Sequence, residues 1–220
     1  MTWRRRTPTS LAHPVKQARG QETLDRLLDA AEEILGAEGL DGATVPAIAA
    51  RAGVSVGNVY KRFPDKDALM RAVYERFFER SLESNRSALD PARWQGTSLD
   101  DLLHAVVSGM VRGYRLRRAI LRPLLLYAES HADRAFRRRA EELRHETLRL
   151  LGALLASRRS DIGHPDPERG IAFAILVVAH ALQSMVLGER DHALGLAASD
   201  AELAEELAVM VTRYLKARSA

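Results

Sequence analysis

The chain has 220 residues, 46% of them hydrophobic and 28% charged, the balance of an ordinary folded protein of one or two domains with a sizeable core. It contains no cysteine, which excludes disulfide frameworks, thiolate metal sites and cysteine nucleophiles and fits a reducing cytoplasm. The formal net charge of +4 is unevenly spread: residues 1–19 carry Arg4, Arg5, Arg6, Lys16 and Arg19 with no acid, residues 20–43 carry seven acids against Arg26, and residues 44–66 are net +3. Two basic blocks therefore flank an acidic segment. Such blocks suit a phosphate backbone, although a basic run can equally be a solvated tail.

Helical periodicity runs through almost the whole chain and no two-residue alternation is sustained, so the expected fold class is all-α. The first expected helix carries Leu24, Leu27, Leu28, Ala31, Ile34 and Leu35 on one stripe and stops at Gly39. Thr44 caps a short second helix, with Pro46 in its first turn and Ile48, Ala49 and Ala52 facing inward as far as Gly53. Ser55 caps a third, with Val59 and Phe63 inward and Pro64 at its end. Asp65 caps a fourth, reaching about residue 87 with Leu69, Val73, Phe77, Phe78 and Leu82 on its buried side.

The stretch 89–97, with Pro91 and Gly96, reads as the junction between a small unit and a large one. A capping pattern at Ser98 and Asp101 opens a helix with Leu99, Leu102, Leu103, Val106, Met110 and Tyr114 on one side. A separate helix is expected over 119–130, with Pro123 near its start. The next begins at Asp133, with Phe136, Ala140, Leu143, Thr147, Leu150 and Leu154 as its seam. An apolar helix over 168–187 and a last helix over 200–216 complete the chain. The apolar stretch 171–187 holds His180, Gln183 and Ser184 and falls short of the ~20 apolar residues a membrane span needs. The N-terminus lacks the apolar region of a secretory signal, and the expected location is the cytoplasm with no membrane partner.

Residues 44–69, TVPAIAARAGVSVGNVYKRFPDKDAL, carry the chemistry. They spell a helix, a tight turn at Gly53 and a second helix, the layout in which the first helix braces against a DNA backbone and the second enters the major groove. Val54, Val59 and Phe63 would anchor the second helix, leaving Val56, Gly57, Asn58, Lys61 and Arg62 on the DNA side. Two short helices packed in a bundle would share the apolar pattern. In chain order RGQETLDRLLDAAEEIL, GATVPAIAARAGVS and VGNVYKRFPDKDALM, with Tyr60, Phe63 and Lys66 in the last, this region resembles the DNA-binding domain of TetR-family transcriptional regulators from about residue 19 to 73. The remainder matches that family only in layout.

The resemblance implies phosphate contacts from Thr44, Tyr60 and Lys66, which set register without reading bases. It puts Asn58, Lys61 and Arg62 nearest the base edges, where Asn pairs with adenine and Arg or Lys with guanine, although Lys61 or Arg62 can stop at a phosphate. Ser55 and Val56 border the same face, Val56 with a thymine methyl within its chemistry, and Gly57 admits close backbone approach. The implied organisation is a basic arm (1–18), a helix-turn-helix domain (19–66), and a helical ligand-binding and dimerisation domain (67–220) that includes the connecting helix. The implied function is a homodimeric repressor, paired through its last two helices and released from a palindromic operator on double-stranded DNA by a small-molecule effector. Activation instead of repression fits the same residues.

Tyr114, Tyr127, His131, Phe173 and His180 are the candidate effector contacts, being aromatic or polar-tipped residues on expected inward faces. The seven histidines show no ligand spacing for a metal, no cofactor loop is visible, and no nucleophile-base pattern supports an enzyme. The alternative is a helical enzyme or small-molecule-binding protein in which residues 44–66 only pack. Tyr60, Lys61, Arg62 and Lys66 beside a basic arm favour the regulator.

Overall fold

A computed structural model describes residues 12–130, 134–184 and 199–217, and within these the secondary structure is helical with no strand. The helices are α1 (Ala12–Gly42), α2 (Val45–Ala52), α3 (Val56–Tyr60), α4 (Lys66–Ala88), α5 (Leu99–Ser130), α6 (Arg134–Ala156), α7 (Pro167–Leu182) and α8 (Asp200–Lys216). The all-α expectation holds. Residues 1–11 of the expected arm lie outside the described residues, and α1 already includes residues 12–18.

The first compact unit ends at Val73. Its core joins Leu27, Leu28, Ala31, Ile34 and Leu35 of α1 to Ile48 and Ala49 of α2, Val59 of α3 and Leu69 of α4, all buried. Gly39 breaks α1 with φ 72° and ψ −168°, a conformation that strains any residue with a Cβ. The second unit runs from Tyr74. The connector after α4 holds a single 3₁₀ turn, Pro91–Trp94. The division falls earlier than this connector because the second half of α4 is tied to α6: Asn85 Nδ2 donates to Thr147 Oγ1 at 2.9 Å, and Arg139 meets Glu75 at 3.2 Å. These ties set α4 and α6 side by side in the same direction.

In the second unit α5 and α8 run antiparallel. Leu102, Leu103, Val107 and Val111 pack against Leu207, Ala208, Val211 and Leu215, with Leu154, Ala174, Val178 and Leu182 completing the core from α6 and α7. Ion pairs flank the seam at Asp100 with Lys216 and at Arg115 with Asp200 (2.6 Å), and His104 Nε2 lies 2.5 Å from Glu205 Oε2. Ser199 and Glu202 close a reciprocal capping box at the start of α8: the Glu202 N–H donates to Ser199 Oγ at 3.2 Å, and the Ser199 N–H donates to Glu202 Oε2 at 2.7 Å.

Two expectations are corrected here. The separate helix over 119–130 does not exist, because α5 continues through Pro123 to Ser130. The strong helix formers around the proline (LRRAILRPLLLY) carry the helix past the one backbone bond that proline removes. The seam of α6 also shifts: Phe136, Leu151, Leu154 and Leu155 are buried, whereas Leu150 is only half-buried.

Candidate nucleic-acid interface

Each turn of the 44–69 segment is held by the side chain its sequence supplies. The Ala47 N–H donates to Thr44 Oγ1 at 3.3 Å, the Asn58 N–H to Ser55 Oγ at 3.2 Å, and the Ala68 N–H to Asp65 Oδ1 at 2.7 Å, so Thr44, Ser55 and Asp65 cap α2, α3 and α4. Between α2 and α3, Gly53 is left-handed at φ 68° and ψ 36°. The Gly53 N–H donates to the Ala50 carbonyl and the Val54 N–H to the Ala49 carbonyl, a Schellman ending that reverses the chain within two residues. Val59 is fully buried and fixes one face of α3 on the core; the helix ends at Tyr60 and not at Pro64 as expected, so Lys61, Arg62 and the half-buried Phe63 lie just beyond it.

The opposite face is free. Val56, Gly57, Tyr60, Lys61 and Arg62 are exposed, as are Thr44 and Ser55, while Asn58 is half-buried. Tyr60 is 51% exposed and Val56 38%, although neither residue type favours water. An exposed tyrosine followed by lysine and arginine at the end of a capped helix presents a hydroxyl, cations and open backbone on one surface. A Cβ added at Gly57 would meet nothing within 4 Å, so that surface has room for an incoming backbone. Thr44 and Ser55 each use an oxygen lone pair for capping and keep their O–H free to donate. Arg51 and Glu33, 3.4 Å apart and both largely exposed, join α2 to α1 without much energy.

Two cations sit differently from a simple outward projection. Arg62 reaches over α1, where a Cβ at Gly20 would stand 3.8 Å from its Nη2. The Lys66 ammonium donates to the Leu40 carbonyl at 2.6 Å and is half-buried, tying the start of α4 to the turn that follows Gly39.

The candidate effector residues scatter. Tyr114 is half-buried on α5, where burial pushes its hydroxyl pKa up and the charge of Arg144 pulls it partly back. Tyr127 packs edge-on against Phe136, with ring centres 5.1 Å apart. Phe173 and His180 do not face the interior as expected: Phe173 is 51% exposed and His180 is exposed, because α7 buries Ile171, Ala174, Val178 and Leu182 instead. His131 lies outside the described residues. Sequence reasoning passed over Tyr74, which is fully buried against Tyr127 and Phe136. Its spacing from Met70 and Phe78 on α4 was the available signal. Among the described residues no group of three or more His, Asp or Glu side chains has the geometry of a metal site, and no helix is long and apolar enough to cross a membrane.

A capped helix, a two-residue reversal and a short helix with a basic, tyrosine-bearing outer face define a helix-turn-helix regulator of transcription that binds DNA. Residues 27–73 match the family model described as bacterial regulatory proteins, tetR family. The chain carries a DNA-binding segment of the TetR type, and its relatives are named transcriptional regulators. It is 27% identical over 173 residues to the HTH-type transcriptional regulator BetI of Escherichia coli O157:H7, a match covering 77% of this chain and 87% of that protein. Among solved structures, Salmonella enterica GusR superposes with a TM-score of 0.62 at 22% identity, covering 89% of this chain and 96% of GusR. The regulator FadR from Bacillus subtilis, solved in complex with stearoyl-CoA, does so at 0.59 and 16% identity, covering 85% and 96%.

Proposed function

We propose that the protein is a cytoplasmic homodimeric repressor that binds a palindromic duplex through α3 and leaves it when a small molecule occupies the second unit. The observation that carries the DNA half is the exposed Tyr60, with the exposed Lys61 directly after it, at the end of a helix whose other face is pinned by Val59. In this reading Asn58 and Lys61 address base edges, and Arg62 addresses a base or a phosphate. Thr44, Ser55, Tyr60 and Lys66 donate to phosphates, Val56 meets a thymine methyl, and Gly57 lets the backbone close in.

Dimerisation is supported by an apolar strip that one chain leaves uncovered. Phe173 and Leu176 on α7 and Met210 on α8 are 51%, 49% and 43% exposed, and the Phe173 and Tyr214 rings lie 5.5 Å apart, joining the two helices into one patch. Large exposed apolar side chains that adjoin one another mark association surfaces. Phe173 and His180 are therefore assigned to pairing between chains. Effector binding then falls to Tyr114 and Tyr127, a role in line with the stearoyl-CoA held by FadR.

A two-fold dimer places its recognition helices about one helical turn, ~34–36 Å, apart on the duplex, and its affinity falls steeply with salt. Selection from random duplexes at moderate salt is the test. A palindromic consensus is expected, and selection of no preferred sequence refutes the reading.

A further inference from the structure

Tyr74 is the least expected residue of the second unit. It is fully buried, and its hydroxyl has no hydrogen-bond partner. Thr212 Oγ1 is the other such atom among the described residues, but a helical threonine can turn its hydroxyl to the carbonyl four residues back. A tyrosine on α4 has no such recourse. Leaving a buried donor unpaired costs about 1–3 kcal/mol, so buried tyrosines almost always find a partner.

Two rings adjoin Tyr74. Tyr127 lies 5.3 Å and Phe136 5.8 Å from it, centre to centre, and Phe78 lies 5.9 Å from Phe136. The four come from α4, α5 and α6, and none belongs to the main core of the unit. The neighbouring carboxylate, Glu75, is engaged by Arg139. A lone water needs two to four polar partners, and rings offer few. Burial also pushes the Tyr74 pKa up, so the hydroxyl keeps its proton and acts as a donor.

We propose that Tyr74, Tyr127, Phe136 and Phe78 form the binding site for the effector, and that its ligand is a neutral, planar, conjugated molecule whose carbonyl oxygen accepts from the Tyr74 hydroxyl. The proposal rests on the reading of the second unit as the effector domain and deepens it. Aromatic walls favour a flat unsaturated body, an unpaired donor selects an acceptor, and an apolar enclosure disfavours a charge. Tyr74 stands on α4, the helix that begins at Lys66, so the ligand acts on the element that continues from the DNA-binding motif.

The test uses the full-length protein and two probes of nearly identical shape, 2-acetylnaphthalene and 2-isopropenylnaphthalene, in which a methylene replaces the carbonyl oxygen. Calorimetry should show the ketone bound roughly 2- to 10-fold more tightly, the worth of one neutral hydrogen bond. Tyr74→Phe should abolish that preference, leave the affinity for the hydrocarbon unchanged, and hold or raise the Tm, since it removes only the unpaired hydroxyl. Phe136→Leu should weaken both probes and keep the preference. Failure of both probes to bind, equal binding by the parent protein, a preference surviving in Tyr74→Phe, or a fall in its Tm each overturns the proposal. Operator binding by the unliganded protein is measured alongside: its presence with no ketone preference sinks only this inference, whereas its absence sinks the regulator reading.

Discussion

Gly57→Ala separates what the free protein needs from what the complex needs. Gly57 is the second residue of α3, and an added Cβ would have nothing within 4 Å. With no clash, alanine contributes only its lower unfolded-state entropy, a stabilisation of about 0.5–1 kcal/mol in a helix. At roughly 2–4 °C per kcal/mol for a chain of this size, the Tm should rise by about 1–4 °C. The same methyl projects into the surface proposed to meet DNA. Forcing a methyl into a close-packed contact costs about 1–3 kcal/mol, so operator affinity should drop about 5- to 150-fold. Thermal melts followed by circular dichroism and anisotropy titrations of a labelled operator at fixed salt measure the two effects on one sample. A variant that is stabilised yet binds with unchanged affinity refutes the close approach of α3, and a destabilised variant refutes the account of the free protein.

Further expectations concern other surfaces. Asn58→Ala should cost about 1–3 kcal/mol on the preferred operator and little on duplexes changed at one base position, read by competition anisotropy. Phe173→Glu or Met210→Glu should leave a folded monomer, because both side chains are already half in water, and sedimentation should show the loss of the dimer. In α6, Arg149 and then Arg86 hold the Glu146 carboxyl down to about 2, so its folded pKa lies below its unfolded value. Its contribution is present at neutral pH and fades as the pH falls from the ordinary carboxylate range towards 2. The Tm gap between the parent and Glu146→Gln should close over that interval, and a gap that persists at pH 2 refutes the ion-pair account.

The legible parts of this chain are those where one residue type does a local job. Thr44, Ser55 and Asp65 cap α2, α3 and α4 where the structure has them, Gly53 ends α2, and Gly39 marks the break inside α1, which runs on to Gly42. The illegible parts are helices with more than one apolar face. Residues 171–179 of α7 are apolar without interruption, so a 3.6-residue period cannot say which side faces in, and Phe173 and His180 fell on the wrong one. On α4 the buried apolar and aromatic set is Leu69, Met70, Val73, Tyr74, Phe77 and Phe78, twice the width of a single stripe. Taking the 69–73–77 row, with Phe78 and Leu82, hid Tyr74, whose charged neighbours Glu75 and Arg76 make it look like a surface position.

Lys66 shows where resemblance and geometry have to be combined. The family likeness implies a phosphate contact, and the structure has the ammonium on the Leu40 carbonyl. An ammonium carries three donors, and one is used here. The Leu40 carbonyl is available only because Gly39, at positive φ, breaks α1 and frees the acceptors of its last turn. If the remaining donors reach a phosphate, one side chain joins the end of α1, the start of α4 and the DNA backbone, and any movement of α4 changes all three. Lys66→Met should then lower stability by about 1 kcal/mol, for a half-buried charged hydrogen bond, and also reduce the slope of log K against log salt by about 0.9 per chain. Lost stability with an unchanged slope makes Lys66 a strut of the fold alone. A reduced slope without lost stability means the Leu40 bond carries no weight.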